Sequence, residues 1–207
     1  MDRAEVSAVP QWSVVLPSWI IQDGNYGDFE QGQIAEFALE FSPVAVEPSV
    51  AGLVIAEPIA EGRYRVTAQI IYLTSEVWVL DFGLLVFQDS RPPEGLIAGM
   101  FVTGDIWVGI DPFFYFERLS AIPTMPSLSY SWRIDRISQQ TAPLDERLHL
   151  DGIAYLARDE AQSHYRDIPR TDAWHDDQGK AEYVLHCTLI DAVPRRAARD
   201  SSSKRRS

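Results

Sequence analysis

The chain has 207 residues, of which 46% are hydrophobic and 11% aromatic, so it is long and apolar enough to bury a core and is not a disordered chain. Its formal charge is −12. The last fourteen residues carry six of the 18 basic and one of the 30 acidic side chains, leaving 12 against 29, or −17, over residues 1–193. That body repels phosphate backbones, and a single cysteine, Cys187, excludes an intramolecular disulfide and a cysteine zinc cluster.

The first residues, MDRAEVSAVPQW, lack a positive start followed by an apolar run, so no signal peptide is expected. No apolar run approaches the roughly 20 residues of a membrane helix. The expected setting is a reducing cytoplasm without membrane contact.

Residues 1–10 read as a loose arm. Gln11 to Ile21 (QWSVVLPSWII) reads as a first strand interrupted at Pro17, which marks an edge or a bend. Asp23 to Gly32 (DGNYGDFEQG) has the glycines and Asn/Asp of a turn. Gln33 to Phe41 (QIAEFALEF) fits two patterns. As a strand it sends Ala35, Phe37, Leu39 and Phe41 inward, and as a helix it aligns Ile34, Phe37, Ala38 and Phe41. Propensity favours the helix, while the short length and Gly-rich entry favour the strand. Ser42 to Pro58 holds three prolines and reads mostly as connection.

Arg63 to Gln88 reads as a hairpin. Tyr64, Val66, Ala68, Ile70 and Tyr72 alternate with polar residues, a turn falls near Thr74-Ser75-Glu76, and Trp78, Leu80, Phe82, Leu84 and Val86 line the return strand. That second strand is apolar on nearly both faces, which predicts a central position.

Leu96 to Glu117 (LIAGMFVTGDIWVGIDPFFYFE) organises the chain. Ala98, Met100, Val102, Gly104, Ile106, Val108 and Ile110 share one face, with Phe101, Thr103, Asp105, Trp107 and Asp111 on the other. A bulge at Gly104 would reverse the parity beyond it. The unreversed phase keeps three aliphatics inside and Asp105 outside. Asp111-Pro112 ends the strand, and Phe113, Phe114, Tyr115 and Phe116 follow.

After a Pro-containing loop, Leu128, Tyr130, Trp132 and Ile134 alternate with polar residues. Residues 139–179 are polar, with a short helix expected from Ile153 to Ser163. A last strand runs from Lys180 to Asp191, with Tyr183, Leu185, Cys187 and Leu189 inward and His186 outward. These elements predict an all-β fold of six to seven strands with a short helix. It would be an antiparallel barrel, possible in OB-like form, or a sandwich, in one domain over 1–193, with 194–207 a disordered basic tail.

No nucleophile elbow or phosphate loop occurs. His149, His164, His175 and His186 lack metal-site spacing. His164, Asp167, His175 and Asp176 could gather round a divalent ion, but a solvated loop explains them as well. No metal or cofactor is therefore expected. Asp81 lies in an apolar strand, where burial would raise its pKa and make it an acid–base candidate. Asp105 and Asp111 stand about 20 Å apart along one strand, too far to act on one bond. Cys187 and His186 face opposite ways, which disfavours a catalytic pair.

Phe101, Trp107, Tyr115, Tyr130 and Trp132 could stack bases, but such platforms sit in basic grooves. Four consecutive aromatics cannot all enter one core, so the run 113–116 points to a contact surface. The leading expectation is a non-catalytic binding or interaction protein with Trp107, Phe113, Phe114, Tyr115, Phe116, Tyr130 and Trp132 at its contacts. Its partner would be a protein, with self-association one form. Two alternatives stand beside it. One is single-stranded nucleic-acid binding assisted by Arg195, Arg196, Arg199, Lys204, Arg205 and Arg206 of the tail. The other is a carboxylate-dependent hydrolase or isomerase.

Overall fold

The computed structural model describes residues 11–50, 52–148, 154–158, 162–191 and 194. Among the described residues thirteen strands form: β1 (Gln11–Pro17), β2 (Ile34–Phe37), β3 (Leu39–Ser49), β4 (Ile55–Ala60), β5 (Arg63–Leu73), β6 (Trp78–Asp81), β7 (Leu85–Gln88), β8 (Phe101–Ile110), β9 (Tyr130–Gln140), β10 (Leu144–Leu148), β11 (Ala154–Arg158), β12 (Tyr165–Ile168) and β13 (Glu182–Leu189). Two short α-helices among these residues, α1 (Ser18–Gln22) and α2 (Phe114–Glu117), interrupt them.

The fold is an all-β barrel. β8 pairs antiparallel with β3 on one side and β5 on the other, and β5–β6, β6–β7 and β7–β3 pairings close a five-stranded ring. A second layer joins at the end of β8. There β5 stops at its pairing of Arg63 with Trp107, and β1 takes over in parallel at Val15 opposite Gly109. β1 leads to β13, β13 to β9, and β9 to both β12 and β2.

β8 keeps the unreversed phase. Val102, Ile106, Val108 and Ile110 are buried, while Thr103, Asp105 and Trp107 face outward with partial exposure. The bulge lies in the partner strand, between Pro43 and Ala45 of β3. A Cβ at Gly104 would lie 1.9 Å from the Ala45 carbonyl oxygen, so only glycine lets the bulged strand come so close.

Gln33–Phe41 is extended and not helical, holding β2 and the start of β3 with a break at Ala38, and Phe37, Leu39 and Phe41 are buried. Ser42–Pro58 is not connection, because β3 and β4 run through it and carry Pro43, Pro48 and Pro58. Both strands have a partner on one side there, where a missing N–H costs nothing. Ser18–Ile21 belongs to α1 and not to the first strand, since β1 ends at Pro17. The expected helix at 153–163 is replaced, over 154–158, by β11 paired with β10. The strand expected over 78–86 is a second hairpin turned at Gly83, whose φ is 99°. Its two faces are covered separately. Trp78, Leu80 and Val86 enter the main core, while Val79 and Phe87 pack against Tyr115, Leu119, Met125 and Leu128. Among the described residues no helix is long and apolar enough to cross a membrane.

Candidate functional site

On the face opposite the core, register brings one row of residues across the junction of the two layers. Glu40 on β3 stands beside Gly109 on β8, Gly109 beside Val15 on β1, Val15 beside Val184 on β13, and Val184 beside Ser138 on β9. Strands lie about 4.8 Å apart, so the row is roughly 19 Å long. Its centre holds a glycine and two valines. A groove of about 510 Å³ opens over it. Trp107, Glu61 and Ser42 line one part, Trp19, Pro17 and Pro112 another, and Glu182, Gln140, Tyr165, Arg147 and Arg158 the end beneath the β10–β11 hairpin.

The depression has a local cause. Gly109 presents no side chain where β8 exchanges β5 for β1, and the turn that ends at β5 crosses through Gly62 (φ 69°). A Cβ at Gly62 would lie 2.4 Å from Val15 Cγ2, so the glycine lets β1 close onto the barrel.

The charges at the two ends differ. Arg158 is buried and engaged: its guanidinium donates to the Ala142 and Lys180 carbonyl oxygens and pairs with Asp177, and its Nε lies 3.9 Å from Glu182. The Glu40 carboxylate has no hydrogen bond or ion pair with a described residue. Burial raises its pKa to about 7, and the nearby Asp89 pushes the same way. Burial also raises Glu182, against the pull of Arg158.

Beyond the groove the row continues into a polar network. His186 Nδ1 lies 3.0 Å from Ser13 Oγ and 3.1 Å from Arg136 Nη2, and its Nε2 lies 3.3 Å from Ser138 Oγ and 3.7 Å from Glu61. Ser138 donates to Asp167 at 2.9 Å, and Arg136 does the same. A guanidinium only donates, so Nδ1 accepts and the hydrogen of the neutral ring sits on Nε2. His186 therefore donates to the Ser138 oxygen, the reverse of a base drawing a proton from a nucleophile. Burial lowers the His186 pKa, with Arg136 adding to it, and the hydrogen bonds from Ser138 and Arg136 lower that of Asp167.

The residues expected at contacts are dispersed. Trp107 lines the groove, with the Arg63 guanidinium 5.9 Å from its ring centre. Tyr130 and Trp132 are 2% and 0% exposed in the core, Trp132 stacked on Phe37 at 5.5 Å, so they correct the expectation of a binding surface there. The run 113–116 is a helical turn and not an extended segment. Tyr115 is fully buried, Phe113 stacks on Phe116 at 4.8 Å, and Phe114 alone is 41% exposed. Asp111, beyond the end of β8, accepts the N–H groups of Phe114 (2.8 Å) and Tyr115 (3.0 Å) and holds this turn. Residues 195–207, with the six basic side chains of the tail, lie outside the described residues.

Asp81 accepts the Gly83 N–H at 3.0 Å and shapes a turn. Asp105 is held by Arg63 and Arg65. His175 pairs with Asp172, while Asp167 belongs to the His186 network, so the loop does not gather round an ion. Among the described residues no group of three or more His, Cys, Asp or Glu is placed to hold a metal.

Of the residues that line the groove, the sequence reading named Trp107 and did not name Glu40, Gly109, Val15 or Val184. One signal was present: Val15 and Val184 are apolar on the outward phase of their strands, where a solvent face would be polar. Comparison with protein-family models, with curated proteins and with solved structures returns no match, so the groove itself is the basis for a functional reading.

Proposed function

We propose that this is a non-catalytic, cytoplasmic binding protein whose ligand is a small molecule seated in the groove over Val15, Gly109 and Val184. The groove carries the reading: its volume falls within the range of about 300–1,000 Å³ usual for ligand sites, with an apolar floor and a few polar groups at its ends. The direction of the Ser138–His186 hydrogen bond supports binding over hydrolysis. The burial of Cys187 as a free thiol suits a reducing compartment. With Phe114 the one exposed member of its run, the groove offers a better contact than the aromatic turn does.

The test blocks the groove. Ser42 is exposed on its rim, so Ser42→Trp should fill the mouth without disturbing the core. A thermal-shift screen of small molecules should yield compounds that raise the melting temperature of the wild type, by about 2.7 kcal/mol of stabilisation at a hundred times Kd, and not that of the variant. Compounds that stabilise both proteins equally, or a screen with none, would remove the reading.

A further inference from the structure

We propose that the groove takes an organic cation, its ammonium group at Glu40 and its apolar body along Val15, Gly109 and Val184 against Trp107. The inference rests on the groove being the binding site and adds the chemical class of its ligand.

Three observations converge on it. First, the Glu40 end is short of positive charge. Glu40 has no cation partner among the described residues, and Asp89 and Asp111 both lie near enough to act on it or be acted on by it. Asp89 is bridged by Arg118 and Asp111 accepts the N–H groups of Phe114 and Tyr115, which leaves Glu40 as the one of the three whose carboxylate has no hydrogen bond or ion pair with a described residue. Burying a carboxylate without a partner is costly, and a ligand ammonium would supply the partner.

Second, the buried guanidinium at the opposite end is already taken, and the other one there, Arg147, is exposed on the rim. Arg158 is already committed to Asp177, Glu182 and two backbone carbonyls, so an anionic ligand would compete with two carboxylates. The middle of the groove has glycine and valine, which cannot satisfy the hydroxyls of a polyol. A charge at one end and an apolar body along the floor match both halves.

Third, the wall beside Glu40 favours cations. Trp107 presents an indole, the best aromatic surface for a cation, and the Arg63 guanidinium 5.9 Å from its ring centre is neutralised by Asp105. The chain's net charge of −12 would draw cations toward the groove and repel anions.

The experiment uses three probes of one shape: phenethylamine, 2-phenylethanol and 3-phenylpropionate. Each is titrated into the full chain at low salt and pH 8, where Glu40 is ionised, and followed by tryptophan fluorescence and calorimetry. The amine should bind about tenfold more tightly than the alcohol, as a partly desolvated cation–π and ion-pair contact allows, with the propionate weakest. Glu40→Gln should erase the preference for the amine, so that amine and alcohol bind alike, and Ser42→Trp should weaken all three. Equal binding of amine and alcohol in the wild type, or a preference that survives in Glu40→Gln, would overturn the cation class and leave the groove as a site. Absence of binding by every probe, or binding indifferent to Ser42→Trp, would overturn both.

Discussion

At the scale of single residues, the parity of β8 decides which side chains matter to stability. Ile106 is fully buried, so Ile106→Ala should cost roughly 2–5 kcal/mol in chemical denaturation. Thr103, on the other face, gives its hydroxyl hydrogen to the Val66 carbonyl at 3.1 Å, and Thr103→Ala should cost about 1 kcal/mol. Gly104→Ala should rank with the core truncation, because its Cβ would meet the backbone of Ala45 rather than a yielding side chain. If Gly104→Ala were neutral, the close approach of β3 would be wrong.

Glu40 gives a prediction with a definite sign. Its folded pKa, about 7, lies above the ordinary 4.5 because of burial and then Asp89. Between those values the folded chain holds a proton that the unfolded chain releases, so stability falls as pH rises from about 4.5 to 7. Glu40→Gln removes Glu40's share of this dependence, and Asp111, likewise raised to about 7 by burial, keeps its own. The variant should match the wild type near pH 4 and exceed it by about 1–2 kcal/mol at pH 8, the value reduced for partial exposure to solvent. Equal stabilities at both pH values would show that Glu40 is well solvated.

At the scale of elements, the open edges of β3 and β4 carry the prolines. From Ser42 onward β3 pairs with β8 alone, and β4 pairs with β5 alone, while Val44 (51%) and Ile55 (46%) stand exposed along them. Such edges are templates for another strand, and Pro43, Pro48 and Pro58 blunt them by removing donors. Replacing all three by Val should raise the oligomer fraction in light scattering at micromolar concentration. A triple variant that stayed monomeric would mean that the edge geometry, and not the prolines, keeps the chains apart.

At the scale of the whole molecule, charge is divided between an acidic body and a basic tail. Any duplex DNA binding should come from the six basic residues of 194–207, with a slope of at most about −5 in log K against log salt, and should vanish when they are removed. Salt-resistant binding by the truncated chain would restore a nucleic-acid role for the barrel.

Alternation along single strands was enough to define the all-β class and the inward phase of β8, β9 and β13, while Phe37 and Phe41 were inward in both patterns that 33–41 fits and Leu39 only in the strand one. A strand with one face in a core writes that fact locally, every second residue. Pro43, Pro48 and Pro58 hid β3 and β4, because proline reads as a break until the strand is known to be an edge. The groove could not be read in this way. Glu40, Gly109, Val15 and Val184 come from four strands far apart in sequence, and only the register of β8 against β3 and β1, and of β1 against β13, sets them in one row. Glu40 looked like a solvated carboxylate on an outward face, and its partial burial arises only in the assembled fold. Pairing between distant strands is a property of the assembled sheet, so the tertiary structure alone decided where a ligand could sit.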